Sequence, residues 1–241
     1  MTEGIAGVVQ QLQQRLDDVP ADLQHRRVFL ATYLRTTQAV GTAITQGRFE
    51  DPDWVEEWDV KFAELYLDAH DAAEGAARPW RLAFEAPADL PPLLHVLLGV
   101  NAHVNYDLPQ ALLAVISDED FADPQLMERR RRDHERIDGV LAERVSAEDN
   151  ELGGARSLLD RVLTPLNRRA SQRFLRESRQ KVWHNTAELQ RARLDGPAAY
   201  ATRLAELELL SAAKIADLLR PGQVLLRLAI TGFGVTLPPP A

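Results

Sequence analysis

His95 and two polar pairs, Asn101 with Asn105 and His103 with Asp107, interrupt the most apolar run of this sequence, residues 93–116, LLHVLLGVNAHVNYDLPQALLAVI. Each pair is spaced by four, which in a helix places its members one turn apart on one face. At about 100° per residue the asparagines fall within roughly 40° of each other, in line with Leu94, Leu98, Leu108 and Leu112. The histidine and aspartate point roughly 160° away. The run therefore carries two polar faces that look at different neighbours.

The two faces suggest different chemistry. A buried amide without partners costs on the order of 1–3 kcal/mol, so Asn101 and Asn105 are expected to bond to another helix, a loop backbone or water, and cross-bracing is the commoner role. His-x-x-x-Asp can present an imidazole and a carboxylate to a single divalent metal. Alternatively the aspartate orients the imidazole and raises its basicity for acid–base work. The bland alternative is an ordinary hydrogen bond on a helix surface. A metal would need a further ligand, for which His184 is the first candidate and His70, His134, Asp59 and Asp133 are the others. Without cysteine only nitrogen and oxygen donors remain, so the cofactor stays open, with a divalent metal as the one considered.

A second polar alignment occurs earlier. Asp59, Ala63, Tyr66 and His70 recur at steps of four, three and four beside the aromatic stripe Trp54, Trp58, Phe62, Leu65 and Ala69. Such a row faces either a polar pocket or the boundary of the core with Tyr66 half buried, the second being the commoner arrangement. The residues expected to line a ligand pocket are Asp59, Tyr66, Asn101, Asn105, Trp80 and Trp183. The residues expected to act are His103, Asp107 and His184, with His103 and Asp107 as the metal ligands if a metal is used.

Helices must position these groups. Ile5, Val8, Val9, Leu12 and Leu16 mark a first amphipathic helix with Thr2 as cap, and residues 22–47 a second that stops at Gly47. Either Asp51 or Asp53 can cap the helix that carries the aromatic stripe. Residues 75–92 read as a loop with Pro79-Trp80 and Phe84 folded back on the body. The central run follows, bent where Pro109 cannot donate to the Asn105 carbonyl. Asp123-Pro124 starts a helix reaching about Val145, residues 148–154 form a flexible break, 157–166 a short helix and 168–194 a longer one. Asp195-Gly196-Pro197 turns the chain into a helix from Tyr200 to Leu218, and an apolar segment at 224–230 precedes an extended tail. With no alternating strand pattern, the fold expected is all-α, one domain over 1–232 with about eight helices around a buried, Pro-kinked central helix, and a tail over 233–241.

Bulk properties bound the function. The chain has 241 residues, 45% hydrophobic and 27% charged, in the range of ordinary globular proteins. A net charge of -8 argues against a phosphate-neutralising surface, so nucleic acid is not an expected partner. The basic run from Arg129 to Arg132 is short and interleaved with acids, and ion pairing with neighbouring acids is expected instead. The absence of cysteine excludes disulfides and thiolate chemistry. No cationic start precedes an apolar core at the N-terminus, so no signal peptide is expected, and charge within 93–116 makes a membrane span costly. A cytoplasmic protein acting on a small molecule, with no membrane partner, is the expectation, and the oligomeric state is left open.

Several strings resemble one family. Residues 33–45, the Gly47-Arg48-Phe49-x-Asp51 turn, Asp59-x-x-Phe62-Ala63, Pro79-Trp80, Gly99-Val-Asn-Ala-His103-Val-Asn-Tyr-Asp107-Leu and Arg179-x-x-x-Trp183 are similar to DUF5995, an uncharacterised actinobacterial all-helical family. The resemblance spans roughly 28–190 and implies an all-α unit, with no established activity. A spacing analogy also links Gly99, His103 and Asp107 to the ligand-bearing helix of zinc-dependent phospholipases C and P1-type nucleases, although the other histidines of that site are not evident.

Three functions follow. The first is a metal-assisted hydrolase in which His103 and Asp107, with His184, activate water for attack on an ester or phosphoester. The second is a small-molecule binding protein or metal-free enzyme using His103–Asp107 as an acid–base pair between aromatic walls. The third is a structural or interaction protein whose polar groups serve packing. Serine-nucleophile and phosphate-loop motifs are absent.

Overall fold

The computed structural model describes residues 2–151 and 168–239. Among them every regular element is helical and no strand occurs, so the fold is all-α. The short helix expected at 157–166 lies outside the described residues. The break expected at 148–154 is helical through Glu151, and its remainder also lies outside them.

Helix α1 (Glu3–Asp17) buries Ile5, Val8, Leu12 and Leu16, the stripe its spacing sets. A 3-10 turn (Ala21–Arg26) occupies the first part of the expected second helix, and α2 begins only at Arg27 and runs to Thr45. Gly47 ends it in the left-handed region at φ 67. The Arg48 amide bonds to the Ala43 carbonyl at 3.1 Å and the Gly47 amide to Ile44 at 3.0 Å. That double closure satisfies carbonyls the helix end leaves open, and a side chain at Gly47 would be strained there.

Asp51 caps α3 (Pro52–Ala72), accepting from the Trp54 amide at 3.2 Å. The turn before it is fixed from a distance. Asp133, on α8 (Pro124–Glu151), accepts from the Glu50 and Asp51 amides, each at 2.8 Å. The basic run of the same helix pairs with this turn: Arg130 with Asp51, and Arg132 and Arg136 with Glu50.

The stretch expected as a loop contains α4 (Arg78–Phe84), with Pro79 in its first turn, where a missing amide hydrogen costs nothing. Next come α5 (Pro92–Ala102), a π turn (His103–Asp107) and α6 (Leu108–Val115). The π turn is the local response to Pro109. In a regular helix the proline ring would press on the Asn105 carbonyl. Here the Leu108 amide instead reaches back five residues to His103, and the widened turn gives the ring room. The chain continues through α7 (Asp118–Phe121), α8, α9 (Arg168–Asp195), α10 (Pro197–Leu218) and α11 (Val224–Thr231).

The apolar side chains form three clusters around this central element. One gathers Leu12, Leu30, Tyr66, Trp80, Leu98 and Ile215. A second holds Ile5, Trp54, Trp58, Leu112, Met127 and Trp183, and a smaller third joins Leu113, Leu189, Leu207 and Leu237. Leu237 belongs to the tail, which is extended yet docked, with Phe233 and Leu237 buried.

Candidate functional site

The two polar faces of the central element meet different surroundings. Asn105 Nδ2 donates to Asn101 Oδ1 at 2.7 Å and to the Phe233 carbonyl at 3.2 Å, while Asn105 Oδ1 accepts from the Val235 amide at 3.2 Å. One side chain thus replaces a strand partner for the tail. Asn185 on α9 repeats the device two residues further on, taking the Leu237 amide at 2.9 Å and donating to the Val235 carbonyl at 3.0 Å. His184 also serves the tail: it is exposed, with Nε2 3.1 Å from the Leu237 carbonyl oxygen.

His103 and Asp107 face the aromatic interior and are 3% and 2% exposed. His103 Nδ1 lies 2.8 Å from Asp107 Oδ2, and Trp80 Nε1 donates to that same oxygen at 2.8 Å. With both donors on Oδ2, the imidazole proton sits on Nδ1 and the lone pair on Nε2. Nε2 is buried and has no hydrogen-bond partner. Phe62 stacks on the imidazole at 3.5 Å with 6° between the planes, and Tyr33 meets it edge-on at 4.6 Å. Tyr66, Trp80 and Phe29 complete the box at 6.0, 5.8 and 6.2 Å.

Gly99, one turn before His103, explains how the box closes. A Cβ there would fall 2.4 Å from the Phe29 ring. Only the absence of a side chain lets Phe29 reach Trp80 and Tyr66.

The electrostatics follow from burial. It pushes the His103 imidazole below its ordinary value and the Asp107 carboxyl above its own, and the hydrogen bond between them opposes both shifts. Asp59, one turn from Phe62, is raised to about 7 by burial, and its Oδ2 has no partner. The Tyr33 hydroxyl, also buried, is raised by burial and by the Asp59 and Asp107 charges, while a hydrogen bond with Thr37 lowers it. His103 Nε2 and Asp59 Oδ2 are thus unanswered polar atoms beside one aromatic box, the kind of group that a ligand or water would answer.

The sequence-derived residues divide accordingly. His103, Asp107, Trp80 and Tyr66 come together. Tyr66 is fully buried rather than half buried, so the row on α3 faces inward and not the core boundary, and Asp59 is buried with it. Asn101 and Asn105 hold the tail. Trp183 packs 5.6 Å from His134 in the second cluster, under Arg131. His184 sits at the tail, Asp133 is committed to the Glu50–Asp51 turn, and His70 is beside Asp71. Among the described residues, no three His, Cys, Asp or Glu side chains are grouped as a metal site.

Phe29, Tyr33 and Phe62 escape a search for polar chemistry because rings on α2 and α3 look like core. His95 is a different case, a polar residue of the central run to which the sequence assigns no role. It lies two turns before His103, with Gly99 between, so 95, 99, 103 and 107 form one row at steps of four. That spacing is the signal that could have found it. His95 lines a cavity of about 20 Å³ with His25, Arg26, Phe29, Tyr66, Trp80, Phe84 and Gly99.

With this geometry in view, the chain belongs to a family of unknown function, DUF5995, whose model matches residues 5–221. The string Asn-Ala-His-x-Asn-x-Asp-Leu lies within that match and carries both polar pairs. No curated protein and no solved structure matches the chain. No helix among the described residues is long and apolar enough to cross a membrane.

Proposed function

We propose that this protein is a small-molecule enzyme in which His103 is a general base, oriented by Asp107 and Trp80. The observation that carries it is the convergence of Trp80 Nε1 and His103 Nδ1 on one Asp107 oxygen, which leaves His103 Nε2 as a buried lone pair without a partner. A base needs its proton-accepting atom free and its tautomer fixed, and this arrangement supplies both. Asp59, with a carboxyl near neutrality, and the Tyr33 hydroxyl are the groups available to hold or return a proton. The aromatic box suits a small, largely apolar substrate. Of the three functions expected from the sequence, this favours the metal-free acid–base pair over the hydrolase with His103, Asp107 and His184 as ligands, because Asp107 Oδ2 is already engaged twice and His184 serves the tail. A cytoplasmic setting and the exclusion of nucleic acid belong to the same proposal, supported by the net charge and by the arginines taken up in ion pairs.

A packing brace is the second reading, favoured by the close Phe62 stack on His103. Turnover in a screen of small ester, amide and carbonyl compounds separates the two. His103→Gln is expected to lower any turnover found by about 10²–10⁴-fold while the protein stays folded. Unchanged turnover in folded His103→Gln, or stoichiometric metal in untagged protein that this substitution removes, overturns the acid–base assignment. Collapse of thermal stability in His103→Gln, with no turnover in the parent protein, supports the brace.

A further inference from the structure

The cavity lined by His25 and His95 has its own unused chemistry. The rings of His25 and His95 stand 5.1 Å apart, tilted by 42°. Each imidazole has one nitrogen committed to the backbone. His25 Nε2 is 3.2 Å from the Phe84 carbonyl oxygen, which can only accept, and the His95 ring bonds to the Ala88 backbone. The other two nitrogens, His25 Nδ1 and His95 Nε2, are buried and have no partner, and His95 is 6% exposed. In neutral rings both carry lone pairs, so these two nitrogens present acceptors to the cavity.

Arg26 decides what can enter. Its Nε shares the Phe84 carbonyl at 3.3 Å and its guanidinium lies 5.1 Å over the Phe84 ring. No acid among the described residues pairs with it. Phe84 ends α4, so the carbonyl that gathers His25 and Arg26 is one the helix leaves open, a position that favours positive charge. A metal ion at the two imidazoles would be repelled by the guanidinium beside them. An oxyanion is attracted by it. When the His95 imidazole takes up a proton, it keeps its backbone bond and turns from acceptor into donor toward the cavity. About 20 Å³ is room for one oxygen-sized group, with the rest of the anion at the mouth beside Arg26.

We propose that His25, Arg26 and His95 form a binding site for a small oxyanion, the carboxylate or phosphate group of a small-molecule ligand, taken up together with a proton. The other titratable group lining the cavity is Tyr66 from α3, whose hydroxyl is raised by burial, and His70, beside Asp71, stands behind Phe84. From α4 the cavity receives Trp80, Ala83 and Phe84, none of them charged. Without the anion, burial and the neighbouring His25 hold His95 below its ordinary value, so the ring is neutral. The anion reverses that balance, and affinity rises as pH falls toward the imidazole range. The site stands independently of His103. It also names the substrate class, a small carboxylic acid or phosphate ester, and that step alone rests on the acid–base assignment of His103.

The test is a titration of histidine-labelled full-length protein, followed through the His25 and His95 ring resonances, with sodium acetate and separately with inorganic phosphate. Saturable shifts of both rings are expected, with His95 moving toward the imidazolium form, tighter at about pH 6 than at about pH 8. Arg26→Gln should weaken the response about tenfold or more, and His95→Gln should remove the proton uptake, while unchanged His103 resonances confirm the fold. A response to acetate alone assigns a carboxylate, and a response to phosphate alone assigns a phosphate. No saturable shift with either probe, an equal response in Arg26→Gln, or stoichiometric zinc bound at the two rings overturns the site. Because these rings report binding directly, failure here leaves the His103 experiment intact, and the reverse also holds.

Discussion

Asn101–Asn105 and His103–Asp107 share one helical element, one spacing and near-complete burial, yet they do opposite things with their hydrogen bonds. Asn105 uses its amide on both sides, joining Asn101 to the backbone of the tail. Only Asn101 Nδ2 on that face lacks a partner. The histidine pair has two donors directed at one carboxylate oxygen and an imidazole nitrogen that meets nothing. Burial alone therefore does not separate a brace from a reactive group. The distribution of donors and acceptors does, because a pair whose bonds tie it to the backbone of another segment fixes structure whereas a fixed tautomer with a free lone pair is poised for proton transfer.

The sharpest way to break the comparison is to remove the shared acceptor. Asp107→Ala strands the Trp80 indole and the His103 imidazole, two buried donors, and should cost about 3–5 kcal/mol in chemical denaturation. A loss below about 1 kcal/mol would show that the box tolerates unanswered donors, and the contrast between the faces would fail. Asn105→Ala should cost less, about 2–3 kcal/mol, by orphaning the Val235 amide and the Phe233 carbonyl. Its signature is local: hydrogen exchange at Val235 and Leu237 accelerates while the ring-shifted His103 resonances stay in place. Movement of both together would mean that the faces act as one unit.

Asp59 provides a pH axis, with an effect that vanishes at low pH. Its folded carboxyl titrates near 7, above the unfolded value of about 3.9. Below the unfolded value both states are protonated and burial of the group is free of charge cost. Between the two values the unfolded chain releases a proton that the folded one keeps, so stability falls as pH rises and levels off above about 7. Asp59→Asn should then match the parent near pH 4 and exceed it at pH 8, by up to about 4 kcal/mol. A constant difference across that range would place the ionised carboxylate in contact with a donor.

Helix positions were legible wherever one stripe met one neighbour. Ile5, Val8, Leu12 and Leu16 specify α1, and Gly47 specifies the end of α2, because amphipathic periodicity and a left-handed cap are local properties. The short helix at Pro79-Trp80 was not legible, since seven residues amid prolines and glycine carry too little period to separate from a loop. The basic run could be assigned to ion pairs by its composition. That Asp133 holds the Glu50–Asp51 amides required the approach of two helices distant in sequence.

For the site, the sequence by itself determined the two pairs and their separation around the helix, because spacing by four fixes facing in any helical turn. It also determined that Pro109 must disturb that turn. Tertiary structure decided everything that depends on neighbours. It brought Trp80 onto the Asp107 oxygen and set Phe62 and Tyr33 against His103. It sent His184 to the tail and opposed His25 to His95 across a cavity. These contacts join residues tens of positions apart, and which of them form is settled by how the helices close on one another, a property that local spacing does not encode.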